Sequence, residues 1–257
     1  MTAPPITNAS HSSENSQAVT LSVVVPILNE AANIADLVGE IVTALDAVTD
    51  FEIIYVDDGS EDDSLAILTA LKAKVPQLRV LRHSQRAGQS AGTHSGVQAA
   101  RGRLIATLDG DGQNDPADIP KLLAAFNAGD ARTYRMVTGH RVNRRDTWSK
   151  RIGSRLANKV RGGLLNDANP DTGCALKLFE REMFLNLPYF DHMHRFLPAL
   201  AKRAGCQVTV VPVNHRGRLH GQSKYSNFGR LIVGVPDLLG VAWLMRRAPK
   251  LLDREEI

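Results

Sequence analysis

Leu21-Ser-Val-Val-Val-Pro-Ile-Leu-Asn-Glu30 is followed by apolar residues at Ile34, Leu37, Val38, Ile41 and Leu45, and then by Phe51-Glu-Ile-Ile-Tyr-Val56. The β-branched run that stops at Pro26 predicts a buried strand. The apolar positions after Asn29 and Glu30 fall on one face at helical spacing. Phe51 to Val56 predicts a second strand, and the cycle repeats. A helix is expected from Asp62 to Lys74, a strand from Leu78 to Leu81, a Gly-rich helix from Gly88 to Ala100 and a strand from Leu104 to Leu108. Alternating βαβα units predict an α/β fold with a mostly parallel central sheet flanked by helices. Ligands of such sheets bind outside the carboxyl ends of the strands. Three polar clusters fall there, at Pro26–Glu30, Asp57–Ser60 and Asp109–Gln113, and imply one site.

The rest of the chain sets bounds. Its 257 residues, 43% hydrophobic and 23% charged, are globular in composition and exclude wholesale disorder. A net charge of +4 is too small to imply nucleic acid by itself. Cys174 and Cys206 give neither a metal-finger spacing nor a disulfide framework, so reduced thiols in a cytosolic setting are expected. Residues 1–19 are rich in Ser, Thr, Asn, Ala and Pro and read as a disordered tail, without the pattern of a signal peptide. The longest apolar stretch, Leu231 to Met245, holds Pro236 and Asp237 and falls short of the ~20 residues that span a bilayer.

Asp109-Gly-Asp-Gly-Gln113 carries the most chemistry. Two carboxylates two residues apart in a glycine-loosened loop can approach one hard cation, Mg²⁺ or Mn²⁺, leaving positions for substrate phosphates. Gln113 can add a carbonyl oxygen. An EF-hand would need a Glu at loop position 12, where this chain has Pro120. Asp57-Asp-Gly-Ser60 can accept hydrogen bonds from a base or a ribose; a helix cap and turn is an equal reading of it. Glycines four apart at Gly88, Gly92 and Gly96 match neither a Walker loop nor a dinucleotide fingerprint, and close helix packing is the favoured reading. Arg141 to Arg161 holds eight basic residues and one acid. Its place after the strands of the site favours anionic groups, a phosphate beside a membrane above all. Nucleic acid fits poorly, because only Trp148 could stack. His192, His194, His215 and His220 lack zinc spacing and read as hydrogen-bonding residues. Arg230 to Arg247, apolar with basic ends, reads equally as an interfacial helix or as a terminal helix packed on the core.

Val25-Pro-Ile-Leu-Asn-Glu30, Val56-Asp-Asp-Gly-Ser60, Asp109-Gly-Asp-Gly-Gln113, Gly139-His-Arg141, Asp171-Thr-Gly-Cys174 and Arg218-Leu-His-Gly-Gln-Ser-Lys224 occur in this order. Together they resemble the polyprenyl-phosphate glycosyltransferases of inverting glycosyltransferase family 2, the dolichol-phosphate mannose synthase relatives, from about Leu21 to Met245. The resemblance implies a GT-A fold over residues 20–228 and a C-terminal interfacial helix over 229–257. It implies a nucleotide-sugar donor, UDP- or GDP-linked, and a polyprenyl phosphate acceptor. Pro26, Leu28, Glu30, Asp57, Asp58 and Asp109 would hold the donor nucleotide. Asp109, Asp111 and Gln113 would hold Mg²⁺ or Mn²⁺. Arg141, Lys150, Arg151, Ser154, Arg218, Ser223 and Lys224 would meet the acceptor phosphate, with Asp111, Arg141, Asp171 and Arg218 at the chemistry. The implied setting is the cytoplasmic face of a membrane, reached through the lipid surface or a membrane-anchored partner. Where relatives commonly carry Thr-Tyr, this chain has Ile27-Leu28, and the Gln-x-x-Arg-Trp element of processive synthases is absent. Another saccharide acceptor and a non-catalytic nucleotide-sugar-binding scaffold stay open as alternatives.

Overall fold

The computed structural model describes residues 19–129, 133–142, 161–165, 169–217 and 227–247, with side chains in the last stretch from residue 234 onward. β1 (Leu21–Ile27), β2 (Phe51–Asp57), β3 (Leu78–Arg82) and β4 (Leu104–Thr107) alternate with α1 (Ala31–Leu45), α2 (Ser64–Lys72) and α3 (Gln89–Ala99). Then follow α4 (Ile119–Asn127), β5 (Arg135–Arg141), β6 (Lys177–Glu180), α5 (Arg181–Leu185), α6 (Leu197–Arg203), β7 (Gln207–Val213) and α7 (Asn227–Arg246).

The seven strands form one sheet in the order β3-β2-β1-β4-β6-β5-β7. All neighbours run parallel except β6, which is antiparallel to both β4 and β5. The expected βαβα half is therefore present, while β5 and β6 were not anticipated. β6 has only four residues and begins on a charged lysine, so it carries no apolar run to read.

Side chains of β1 alternate between two cores, which is why its sequence is apolar almost throughout. Leu21, Val23, Val25 and Ile27 join the core that also takes Ile34, Leu37, Val38 and Ile41 of α1 and Leu122 and Phe126 of α4. Val24 faces the opposite core, with Ile54, Val56, Val97, Phe184 and Leu200. Here the glycines of α3 matter. A Cβ on Gly92 would lie 2.8 Å from Pro26 Cβ, and one on Gly96 would lie 2.4 Å from Val24 Cγ1. The favoured packing reading holds for Gly92 and Gly96, whereas Gly88 caps the helix with φ +95° and a Cβ there would meet nothing closer than 3.8 Å.

Alternation of direction puts the carboxyl ends of β1, β2, β4, β5 and β7 on one edge of the sheet, together with the start of β6. That edge collects Pro26, Asp57, Asp109, Arg141 and Lys177.

Candidate active site

The loop after β1 and the loop after β2 are built as one unit. Asn29 adopts φ 52°. Its main-chain N–H donates to Ser60 Oγ at 2.8 Å, and its Oδ1 accepts from Glu61 N at 2.8 Å. Glu30 N donates to Ser64 Oγ at 3.0 Å and Ala31 N to Asp62 Oδ2 at 3.1 Å. The first turn of α1 is thus capped from another loop, which satisfies amide groups that a helix start leaves open. Glu30 itself accepts from Asn33 Nδ2 at 2.8 Å.

The two neighbouring aspartates have different lives. Asp58 accepts from Ala87 N at 2.9 Å, Gly88 N at 2.7 Å and His83 Nδ1 at 2.7 Å. It organises the 83–88 loop, and His83 passes the chain of contacts to Ser95 Oγ at 2.9 Å. Asp57 is fully buried; its Oδ1 accepts from Ser60 N at 3.0 Å, but Oδ2 accepts no hydrogen bond among the described residues. Arg82 Nε lies 4.0 Å from Oδ2. A buried carboxylate oxygen without a donor is costly unless a ligand supplies one.

Asp109 and Asp111 follow β4 in a loop pressed against β1. A Cβ on Gly110 would lie 2.3 Å from Ile27 Cγ2, and Gly112 has φ +70°, so both positions exclude larger residues. Gln113 N donates to Asp111 Oδ1 at 3.1 Å, and Gln89 Nε2 donates to Asp109 Oδ1 at 2.6 Å. Burial, and then the Asp111 charge, push the Asp109 carboxyl up to about 6, against the opposing pull of Lys177, Arg141 and the Gln89 hydrogen bond. Two carboxylates near enough to repel one another suit a divalent cation, whose charge would relieve both the burial and the repulsion. Among the described residues no three His, Cys, Asp or Glu side chains gather in one metal cluster. Asp109, Asp111 and Gln113 are the residues of this loop that could hold a cation.

Arg141 ends β5 beside this loop. Its Nε donates to Asp171 Oδ2 and its Nη2 to Asp171 Oδ1, both at 2.7 Å, and its main-chain N–H donates to Oδ2 at 3.1 Å. Such a planar fork fixes the guanidinium in one orientation. Asp171 is held in turn by Asn169, whose Oδ1 accepts from Asp171 N at 3.0 Å and whose Nδ2 donates to Thr138 Oγ1 at 2.9 Å. Lys177 is 4% exposed and donates to the Cys174 carbonyl. Burial pulls its ammonium below the ordinary value, while Cys174, Asp109 and Asp171 pull the other way.

Of the residues singled out in the sequence, the edge thus brings together Pro26, Asp57, Asp58, Asp109, Asp111, Gln113, Arg141 and Asp171, with Leu28 and Glu30 in the loop after β1. Lys150, Arg151, Ser154, Arg218, Ser223 and Lys224 lie outside the described residues, as do residues 1–18 and His220. Gln89 and Lys177 were missed, as was Asn114, whose Oδ1 accepts from Asp109 N at 3.4 Å. Nothing in a single sequence marks a glutamine on a Gly-rich helix, or a lysine on a short strand, as neighbours of a distant aspartate. Both cysteines are free thiols. A cavity lined by Glu52, Lys72, Arg79 and Arg101 among others lies at the amino ends of β2 and β3, away from this edge.

Comparison with known proteins gives a consistent picture. The glycosyl transferase family 2 model matches residues 22–187. The dodecaprenyl-phosphate galacturonate synthase of Rhizobium johnstonii is 35% identical over 235 residues, covering 90% of this chain and 68% of that protein. The undecaprenyl-phosphate 4-deoxy-4-formamido-L-arabinose transferase of an Enterobacter species is 34% identical over 221 residues, covering 85% of this chain and 66% of that protein. The chain therefore spans about two thirds of the length of these relatives. Among solved structures, glucosyl-3-phosphoglycerate synthase from Mycobacterium tuberculosis in complex with Mg²⁺ and UDP superposes with a TM-score of 0.69 at 19% identity, over 90% of this chain and 81% of that one. The same enzyme with Mn²⁺, UDP and phosphoglyceric acid gives a TM-score of 0.63 at 21% identity, over 90% and 80%. These neighbours establish the GT-A fold.

Proposed function

The chain belongs to glycosyl transferase family 2, and from that premise we propose that it transfers a sugar from a nucleotide-sugar donor to a polyprenyl phosphate at a membrane surface. One observation carries the reading. A guanidinium locked by a carboxylate fork, Arg141 on Asp171, stands on the same sheet edge as the paired carboxylates Asp109 and Asp111. A diphosphate donor and a phosphate acceptor need those two devices side by side.

In this reading Asp57 accepts from the donor's base or ribose through its unengaged oxygen, and Asp58 shapes the loop beneath it. Asp109, Asp111 and Gln113 hold Mg²⁺ or Mn²⁺, which when bound neutralises charge on the departing nucleoside diphosphate. Arg141 orients the acceptor phosphate, and Asp171 orients Arg141. Lys150, Arg151, Ser154, Arg218, Ser223 and Lys224 are proposed as further acceptor contacts. A phosphate oxygen attacks the anomeric carbon as its bond to the diphosphate oxygen breaks, and the configuration inverts. The acceptor is already anionic near neutral pH, so the step needs no dedicated base.

The test is sugar transfer from a panel of UDP- and GDP-sugars to undecaprenyl phosphate, with Mn²⁺ or with EDTA. Lipid-linked product that requires metal, has inverted configuration and disappears in Asp111→Asn is the expected result. Donor binding without lipid product, given active control enzymes, would instead favour another saccharide acceptor.

A further inference from the structure

Residues 214–217, between β7 and the proposed acceptor segment that begins at Arg218, are fastened to the acidic loop along their length. Asn214 N donates to Asp118 Oδ2 at 2.6 Å, and Asn214 Nδ2 donates to Asp115 Oδ2 at 3.2 Å. His215 forms an isolated antiparallel bridge with Asn114. Arg216 N donates to the Gln113 carbonyl at 3.0 Å. The Arg216 side chain adds a third element: Nη1 and Nη2 donate to Glu40 Oε1 and Oε2 of α1 at 2.8 and 2.7 Å, while Nη2 also reaches the Asn114 carbonyl at 3.1 Å.

We infer that the Glu40–Arg216 fork is a positioning clamp that fixes the acceptor-side segment relative to the metal loop and to α1. The three parts it joins have three different tasks. α1 begins at the Pro26–Glu30 motif on the nucleoside side, residues 113–114 close the carboxylate loop, and residue 217 leads into the proposed phosphate contacts. A partly exposed ion pair contributes little stability by itself, Glu40 here being 40% exposed. A planar two-bond fork does set an angle, and alignment of two bound substrates is sensitive to small displacements. The clamp therefore acts on the relative placement of donor and acceptor, not on the binding of either alone. This rests on the function proposed above.

The experiment compares Glu40→Gln, Arg216→Ala and Arg216→Lys with the unaltered chain. Measured quantities are kcat and KM for both substrates, affinity for UDP and GDP with Mn²⁺, and the thermal midpoint. In Glu40→Gln and Arg216→Ala, kcat is expected to fall about tenfold or more, with nucleotide affinity and donor KM within about twofold. Arg216→Lys keeps the charge without the fork and should recover only a minor part. Unchanged kcat, a fall matched by lost nucleotide affinity, or full recovery with lysine would each overturn the clamp. A second readout does not need the lipid. UDP or GDP with Mn²⁺ should slow amide exchange across 214–217 in the unaltered chain and markedly less in Glu40→Gln. If the unaltered chain transfers no sugar, the proposed function fails and this exchange difference alone decides the clamp, with equal exchange in both chains overturning it.

Discussion

His194 shows how a single partly buried group ties stability to pH. Its main-chain N–H donates to Ser90 Oγ at 3.3 Å, and the same hydroxyl lies 2.7 Å from His194 Nδ1. Burial, then the charges of Arg195, Lys177 and His192, lower the His194 pKa to about 3. The unfolded chain would titrate near 6.5, so the unfolded state binds the proton first as pH falls. The stability contributed by neutral His194 is complete above pH 6.5 and is lost progressively below it. At pH 5 the loss amounts to about 2 kcal/mol. Urea unfolding at pH 7 and pH 5 checks this: His194→Gln should lose about 2 kcal/mol less between the two than the unaltered chain. Equal losses would show that another group controls the acid side.

α3 lies on β1 because two of its residues have no side chain. Gly96→Ala would drive a methyl group to 2.4 Å from Val24 Cγ1 in the middle of the sheet. Overpacking of this kind should cost about 1–3 kcal/mol in denaturant unfolding. Gly39→Ala in α1 is the contrast: nothing lies within 4 Å of its Cβ, so helix propensity alone should stabilise by up to about 1 kcal/mol. If the two changes moved stability in the same direction, the close approach of α3 would not be what the glycines serve. The same elements explain what could be read in advance. Strands buried on both faces have continuous β-branched sequences, and α1 has a clear apolar stripe, so the parallel half and the three strand-end clusters were legible. β6 was not, since four residues starting at a lysine look like a loop. Within the site, Asp109 and Asp111 announced themselves by spacing. Glu40 and Arg216 lie 176 positions apart in the chain and meet only through topology, which no local pattern encodes. Asp57 and Asp58 were legible as a pair but not as two roles, because only the three-dimensional donors around Asp58 separate them.

At the scale of the whole molecule, the proposed function requires a surface that can meet a lipid acceptor. None of its described helices is long and apolar enough to cross a membrane. α7 packs on the core, one of the two sequence readings, and its outer side makes the interfacial reading a prediction. Its inner side packs on the second core through Val241 and Ala242, with Leu238, Leu244 and Met245 against it. Arg203 holds its end by donating from Nε to the Leu244 carbonyl at 3.0 Å, and His192 Nδ1 meets Asp237 Oδ2 at 2.9 Å. Its outer side presents Val235, Leu239 and Trp243, four residues apart and 50%, 60% and 60% exposed, next to exposed Arg246 and Arg247. An apolar stripe bearing a tryptophan and ending in two arginines matches an anionic lipid surface in both polarity and charge. Vesicles of phosphatidylglycerol and phosphatidylcholine should therefore bind the chain, and phosphatidylcholine alone should bind it less. Leu239→Ser with Trp243→Ser removes apolar contact on the outer face and leaves Val241 and Ala242 in place. This double variant should lower vesicle binding about tenfold or more, with the unfolding midpoint nearly unchanged. Transfer to undecaprenyl phosphate in vesicles should fall in parallel, while transfer to a short, water-soluble prenyl phosphate should persist. If vesicle binding were unaffected by these substitutions, the outer face of α7 would not be a lipid-binding surface.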